Sequence, residues 1–328
     1  MIRPVTPADL PAIRDLFARY PYKHTQQKVQ KLDRDRLALF YQRQLETALA
    51  RGARAWLALD RDRPSALAGL APNAWHGQVY GRVMARLQPW LNTEMPHAGP
   101  PLLAAVRAAA RADGIDHLAV RLDGEDFLNL HLFEADGWRL VDLSMKFSRE
   151  LPPGEPPPPP PPGSFHIEPA AAADHPWIRR LGSTTHGATH FLNDPALPRE
   201  RTVELFSRWI DRCLAGLAWR VFLLRERPGG PGLGFVIFLR NPALAEAVGR
   251  RPLILDFVLL DPAARGRGLG AWFIQETVRR AADEARRAGE PFDFCELRTS
   301  AHNLPAVVAY EKAGFLCCAT DMVLHGPG

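Results

Sequence analysis

The residues best suited to chemistry in this sequence lie between Leu253 and Gly270, in LILDFVLLDPAARGRGLG. The apolar run at its start reads as a strand. It ends at Asp261-Pro262, passes through Arg265-Gly266-Arg267-Gly268-Leu269-Gly270, and gives way to a helical pattern over Ala271–Ala288. A strand, a glycine-rich turn and a helix start aim several backbone N–H groups at one point, at the positive end of the helix dipole. Glycine lets the backbone approach an anion with no Cβ in the way. Arg265 and Arg267 add guanidinium groups suited to phosphate oxygens. The chemistry is that of a pyrophosphate cradle, with an ordinary surface turn as the bland alternative. The glycines fall as GxGxG rather than the GxGxxG of a dinucleotide fold, and no GK followed by Ser or Thr marks a triphosphate loop.

A second segment narrows the choice. Asn303 to Phe315 reads NLPAVVAYEKAGF, a polar residue followed by a short helix carrying Tyr310 and then Gly314-Phe315. A helix pattern and a strand, Phe292–Thr299, separate it from the glycine loop. An RxxGxG loop after a strand, followed in this order by Asn303, Tyr310 and Gly314-Phe315, resembles the GCN5-related N-acetyltransferase (GNAT) superfamily over residues 165 to 325. The resemblance implies an α/β (α+β) fold with a mixed central sheet flanked by helices. It implies acetyl-CoA as cosubstrate and attack of a neutral amine on the thioester.

Carried onto this sequence, the resemblance assigns Arg265, Gly266, Arg267, Gly268, Leu269 and Gly270 to the pyrophosphate. Val258, Leu259 and Leu260 would pair with the pantetheine arm, and an N–H of Val258 or Leu259 would stabilise the tetrahedral oxyanion. Asn303 would fix the pantetheine or cap the helix behind it, and both roles are compatible. Tyr310 would protonate the departing thiolate, since a phenol with a pKa near ~10 holds its proton at neutral pH. The general base falls to Asp256 or Glu296, each a carboxylate on a mostly apolar strand, where it is costly unless it faces a cleft or a partner. His302 ranks below them.

The acceptor side is expected in GSTTHGATHFLNDP, a polar, glycine-punctuated stretch that reads as a loop. His190, Phe191 and Asn193 are candidate substrate contacts, with loop-capping hydrogen bonds as the equal alternative. His186 and His190 have i,i+4 spacing, but no third ligand follows at a convincing distance, so no metal is expected.

The elements that position these residues belong to a chain of 328 residues, too long for one small domain and comfortable for two. Pro152 to Gly163 reads PPGEPPPPPPPG, which excludes helix or central strand and predicts a polyproline II spacer. The expected division is 1–150, a linker at 151–163, and 164–328. The two sides read as a repeat. Pro101–Asp113, His117–Leu122, FEADGW and Leu140–Phe147 in the first match Ala271–Ala288, Phe292–Thr299, YEKAGF and Leu316–Leu324 in the second. The first side lacks RxxGxG, has NTEMPHAGPP before its helix, and carries Phe133 where the second has Tyr310. Two tandem GNAT-type acyl-CoA N-acyltransferase domains are therefore expected, with only the second binding coenzyme A. This plan is similar to the dTDP-fucosamine acetyltransferases, with support from Leu70–Trp90, His190–Ile210 and Arg298–Asn303.

The resemblance thus implies an acetyl-CoA-dependent N-acetyltransferase acting on a small primary amine, with an amino sugar or nucleotide-linked amino sugar leading. Alternatives are an antibiotic, an amino acid or polyamine, a protein N-terminus, or a non-catalytic acyl-CoA-binding regulator. Residues 1–150 hold 21 Lys and Arg against 17 Asp and Glu. That excess, densest over Lys23–Arg54, fits an amphipathic helix with Leu37, Phe40, Tyr41, Leu45 and Leu49 inward better than a nucleic-acid surface, as no binding motif accompanies it. Met1 leads into RPVTPADL with no apolar leader, and no apolar run is long enough to span a membrane. The four cysteines, Cys213, Cys295, Cys317 and Cys318, lack ligand spacing. A cytoplasmic protein with reduced thiols, no membrane or nucleic-acid partner, and a monomeric or homodimeric state is expected.

Overall fold

The computed structural model describes residues 1–20, 24–92, 97–184 and 189–328. The chain forms two compact units. The first comprises Met1–Ser144, His190–Pro198 and Ala319–Gly328; the second comprises Met145–Thr189 and Arg199–Cys318. This partition differs from a simple cut at the proline run. Residues 151–163 belong to the second unit, held by buried Leu151 and by an ion pair between Glu155 and Arg149.

Along the first unit run β1 (Ile2–Pro4), α1 (Leu10–Arg19), α2 (His24–Val29), α3 (Arg34–Ala50), β2 (Arg54–Asp60), β3 (Arg63–Pro72), α4 (Ala74–Tyr80), β4 (Met84–Asn92), α5 (Gly99–Ala112), β5 (His117–Asp123) and α6 (Phe127–Ala135). Strand β6 (Arg139–Glu150) then carries the chain into the second unit. There follow β7 (His166–Pro169), α7 (His175–Thr184), the short α8 (His190–Asn193) grouped with the first unit, α9 (Arg199–Arg212), β8 (Arg220–Arg225), β9 (Gly232–Arg240), α10 (Pro242–Val248), β10 (Pro252–Leu260), α11 (Leu269–Arg287), β11 (Phe294–Ser300), α12 (Leu304–Lys312) and β12 (Leu316–Pro327).

The two units share a plan, as the internal repeat predicts. In the first, β1 to β4 form an antiparallel meander, β5 joins β4 in parallel, and β12 closes against β5 antiparallel. In the second, β7 to β10 form the meander, β11 joins β10 in parallel, and β6 lies beside β11. Both sheets are covered on both faces, which is why their central strands read as continuous apolar runs rather than alternating ones. In β9, Val236 and Phe238 enter one core with the α11 residues Phe273 and Val278, while Phe235 and Ile237 enter another with Ile178 and Ile210. In β3, Ala66 and Ala68 pack toward α5, and Leu67 packs toward Ile13 and Leu45.

The amphipathic reading of the basic segment is realised in α3, where Leu37, Phe40 and Leu45 are buried and Tyr41 stacks on Phe17. The stretch GSTTHGATHFLNDP is less open than its composition predicts, since α7 runs through Thr184 and α8 takes His190–Asn193. Residues 185–188, including His186, lie outside the described residues. Cys213, Cys295 and Cys318 are buried, Cys317 is exposed, and none is in a disulfide. Among the described residues, no helix is long and apolar enough to cross a membrane.

The second unit depends on residues before the proline run. Phe147 is fully buried in its core, Leu151 nearly so, and Lys146 pairs with Glu296. Removing a buried Phe costs about 3–5 kcal/mol, a large share of the 5–15 kcal/mol typical of a domain. A fragment beginning at Ser164 is therefore expected to lack a cooperative thermal transition by circular dichroism. A fragment melting like the intact chain would refute this dependence.

Candidate functional site

Strand β10 has two halves with different partners. Its parallel register with β11 covers only Pro252, Ile254 and the Leu253 between them, opposite Phe294, Glu296 and Cys295. Its antiparallel register with β9 continues to Leu260. Beyond Ile254 the two parallel strands part, and the β11-facing edge of β10 is left for another hydrogen-bonding partner. Val258, Leu259 and Leu260 lie on this stretch, half-buried.

At the parting point β10 carries a bulge. Leu255 faces Phe238 and Phe257 faces Ile237, so Asp256 is the extra residue. A bulge re-aims a side chain that regular alternation would send elsewhere. Phe257 and Leu259 pack with Trp209 on the α7/α9 face, whereas Val258 and Leu260 pack with Tyr310 and Leu269 on the α11/α12 face. Leu253 and Leu255 pack in the Tyr310 core, so alternation sends Asp256 to the α9 face, and the bulge then keeps Phe257 on that face as well. There the Asp256 Oδ2 accepts a 2.6 Å hydrogen bond from the Trp209 Nε1–H of α9. Burial pushes its carboxyl pKa up from 3.8 to about 6, against the opposing pull of the Trp209 bond. At pH 7 it is mostly ionised and able to take a proton.

Beyond β10, Asp261 accepts from the N–H of Ala263 and starts a tight turn over Pro262–Ala264. Gly266 and Gly268 both hold positive φ, 74° and 72°, with open space where a Cβ would project. Gly268 is the N-cap of α11 and supplies no side-chain cap, so the first N–H groups of a 19-residue helix have no side-chain acceptor at the cap. Gly270 is less constrained, since a Cβ there would meet only Ala309 and Leu260 at ordinary contact distances. Arg265 donates to the Leu260 carbonyl at 3.2 Å. Arg267 pairs with Glu226 at 2.8 Å and lies over the Phe165 ring.

Tyr310 lies in the same core as Leu269, Val258 and Leu260, with Phe147 and Phe315 rings 5.8 and 6.3 Å away. Burial pushes its phenol above the usual range, so it holds its proton at neutral pH. Asn303 occupies the N-cap position of α12 but makes no side-chain cap; its amide donates to Thr299 Oγ1 at 3.1 Å. His302 is exposed and bonds Ser300.

The two carboxylates proposed for the base differ in surroundings. Glu296 forms a 2.7 Å ion pair with Lys146, both side chains largely buried. Asp256 faces an indole N–H instead. Trp209 and Lys146, the partners of the two candidate carboxylates, were not singled out by the sequence. A buried Trp needs an acceptor for its N–H, but the acceptor here lies 47 residues away.

His190, Phe191 and Asn193 are grouped with the first unit. His190 Nδ1 lies 3.1 Å from His325 Nε2, Phe191 stacks on His76, and Asn193 donates to the Val141 carbonyl. Asp256, Tyr310 and the glycine loop belong to the second unit.

The first unit shows what the same plan looks like without these features. Parallel pairing of β4 with β5 ends at Leu87–Val120, and the irregularity that follows falls at Gln88-Pro89, with no carboxylate. The start of α5 is Gly99-Pro100-Pro101, and a Cβ on Gly99 would come within 2.7 Å of the Asn92 amide. Asn92 and Trp90 both donate to Asn129, filling the region with paired, buried side chains. Phe133 is fully buried against Trp90 and Trp138.

No protein-family model and no curated protein matches this chain. Solved structures do. A GCN5-related N-acetyltransferase from Sphaerobacter thermophilus superposes with a TM-score of 0.65 at 17% identity, over all of this chain and 95% of that one. A tandem GNAT protein from the clavulanic acid biosynthesis pathway superposes with a TM-score of 0.57 at 13% identity, over all of this chain and 98% of that one. The fold is therefore that of tandem GNAT proteins along the whole chain.

The raised Asp256 pKa makes a stability prediction. The folded chain holds this proton more tightly than the unfolded chain, so no penalty exists below about pH 4; it grows through pH 6 and stays above it. Asp256→Asn should therefore stabilise the protein at pH 7–8, by at most about 3 kcal/mol, and leave it unchanged near pH 4. Denaturant titrations at both pH values check this; equal effects at the two would contradict it.

Proposed function

We propose that this protein is an acetyl-CoA-dependent N-acetyltransferase whose working site lies in the second unit and whose acceptor is a small primary amine. The observation that carries the reading is the end of the β10–β11 pairing at Ile254, where Asp256 lies on the Trp209 face of β10 while Tyr310 packs on the other. An amine reaching the α7/α9 face and a thioester lying on the α11/α12 face would meet at the gap between the strands.

The loop from Arg265 to Gly270 would receive the pyrophosphate, with Gly266 and Gly268 supplying the backbone shape and α11 its positive end. The open edge of Val258, Leu259 and Leu260 would pair with the pantetheine amides as an added strand does. Asn303 would hold the turn before α12. Asp256 accepts the proton that the amine loses, directly or through a water. The nitrogen attacks the acetyl carbon, and a β10 N–H, of Val258 or Leu259, stabilises the oxyanion. The C–S bond then breaks, and the Tyr310 hydroxyl delivers a proton to sulfur. The Lys146 pairing of Glu296 supports a structural role for that residue and leaves Asp256 as the base.

The filled first unit supports one cofactor site per chain. Among acceptors, amino sugars and their nucleotide conjugates come first on the tandem plan, followed by antibiotic amines, amino acids or polyamines, and protein N-termini. A cytoplasmic setting follows from acetyl-CoA supply.

The test is coenzyme A release from acetyl-CoA against a panel of these amines. Tyr310→Phe should lower kcat by ~10²-fold or more with little change in the KM for acetyl-CoA. The kcat/KM profile should fall on the acid side near pH 6, as Asp256 gains its proton. Trp209→Phe removes a bond that favours the carboxylate, so it should move that limb to higher pH. Saturable acetyl-CoA binding with no turnover across the panel would favour an acyl-CoA-binding regulator instead.

A further inference from the structure

We propose that His117, Asp194 and His325, in the first unit, form a binding site for one divalent transition-metal ion, zinc or an ion of similar ligand preference. The three residues come from distant parts of the chain, with His117 and His325 standing 77 and 131 positions from Asp194. His117 opens β5, and His325 lies on β12. In the antiparallel register, Pro327 faces His117 and Ala119 faces His325, so the two histidines are diagonal neighbours on one face of the sheet. Their ring centroids are 4.7 Å apart, nearly edge to face.

Asp194 follows α8 and is itself pinned, since its Oδ1 accepts the Ala196 N–H at 2.8 Å. Its Oδ2 then meets His117 Nε2 at 2.9 Å and His325 Nδ1 at 2.6 Å. The three candidate ligand atoms all lie within 4.8 Å of one another, and all three residues are buried. Two imidazole nitrogens and one carboxylate oxygen suit zinc and its neighbours better than calcium or magnesium, which favour all-oxygen sites. Tetrahedral bonds of ~2.0–2.1 Å place ligand atoms about 3.3 Å apart, so an ion would need Asp194 Oδ2 to withdraw by roughly half an ångström.

The surrounding contacts fit ligation. His325 Nε2 lies 3.1 Å from His190 Nδ1. With the proton on Nε2 and donated to His190, the His325 Nδ1 lone pair points at the site, an outer contact of the kind that orients metal-bound imidazoles. His190 is in turn held against the Phe191 ring at 3.9 Å. The metal-free alternative is a proton chain from His190 through His325 to Asp194, with His117 donating from the other side. In that form His117 spends its Nε2 proton on Asp194; its buried Nδ1 has no partner among the described residues in either form. A bound ion would clip residues 190–198 to the strands of the first unit, closing two long loops at one point.

The test uses tag-free, full-length protein stripped by a chelator and titrated with Zn²⁺ by calorimetry and with Co²⁺ by visible absorption. One equivalent should bind, the Co²⁺ form should show tetrahedral-type bands, and X-ray absorption of the Zn²⁺ form should show two imidazoles. Saturation at a hundredfold excess over Kd should raise Tm by roughly 5 °C. His117→Gln and His325→Gln should each weaken binding at least tenfold, while His131→Gln, on the surface of α6, should leave it unchanged. Absence of stoichiometric binding by the wild-type chain would overturn the proposal, as would binding with no imidazole signature or binding undiminished in both ligand variants. The wild-type measurements decide the matter even if a ligand variant fails to fold.

Discussion

The parting of β10 from β11 after Ile254 is the constraint on which the second unit turns. Ending a parallel ladder early leaves backbone groups of β10 without partners on one edge, and buried backbone groups need partners. On the other edge β9 stays paired to Leu260 and holds the strand in place. Helices close both faces around the gap, so the strands part without exposing the core. The bulge at Asp256 sits at the same point and keeps Phe257 on the α9 face as well. Burial beside this point raises the Asp256 carboxyl pKa to about 6.

The first unit sharpens this reading because it repeats the plan and fills it. Its parallel ladder also stops short, and its strand is also irregular at that point, but Gln88-Pro89 stands there and Trp90, Asn92 and Asn129 close the space with hydrogen bonds to one another. These buried, hydrogen-bonded side chains occupy the space beside the irregular strand. The gap in the sheet is thus a property of the fold, and what occupies it separates the two units.

Much of this was legible in the sequence because it is local. The strand–loop–helix order around Arg265–Gly270 follows from an apolar run, two glycines that need positive φ, and a 3.6-residue period. The seam FEADGW–YEKAGF marks the repeat because both copies end a helix at a glycine before a strand. What was not legible depends on pairing across distance. Alternation could not choose between Asp256 and Glu296; Trp209 and Lys146 separate them only once α9 and β6 are in place. In sequence His190 reads as a substrate contact with Phe191 and Asn193, and its i,i+4 spacing from His186 lacks a third ligand. The fold sets it against His325, next to a cluster whose members no spacing rule connects. Strand membership was hidden for the same reason, since nothing in Ala319–Gly328 says that it lies beside β5.

Equilibrium titration of the intact chain with acetyl-CoA tests the central claim most directly. One site per chain is predicted, lost in Gly268→Val, where a β-branched side chain cannot hold the φ of 72° that the turn requires. No saturable binding, or two equivalent sites per chain, would contradict the assignment of a single working cofactor site to the second unit.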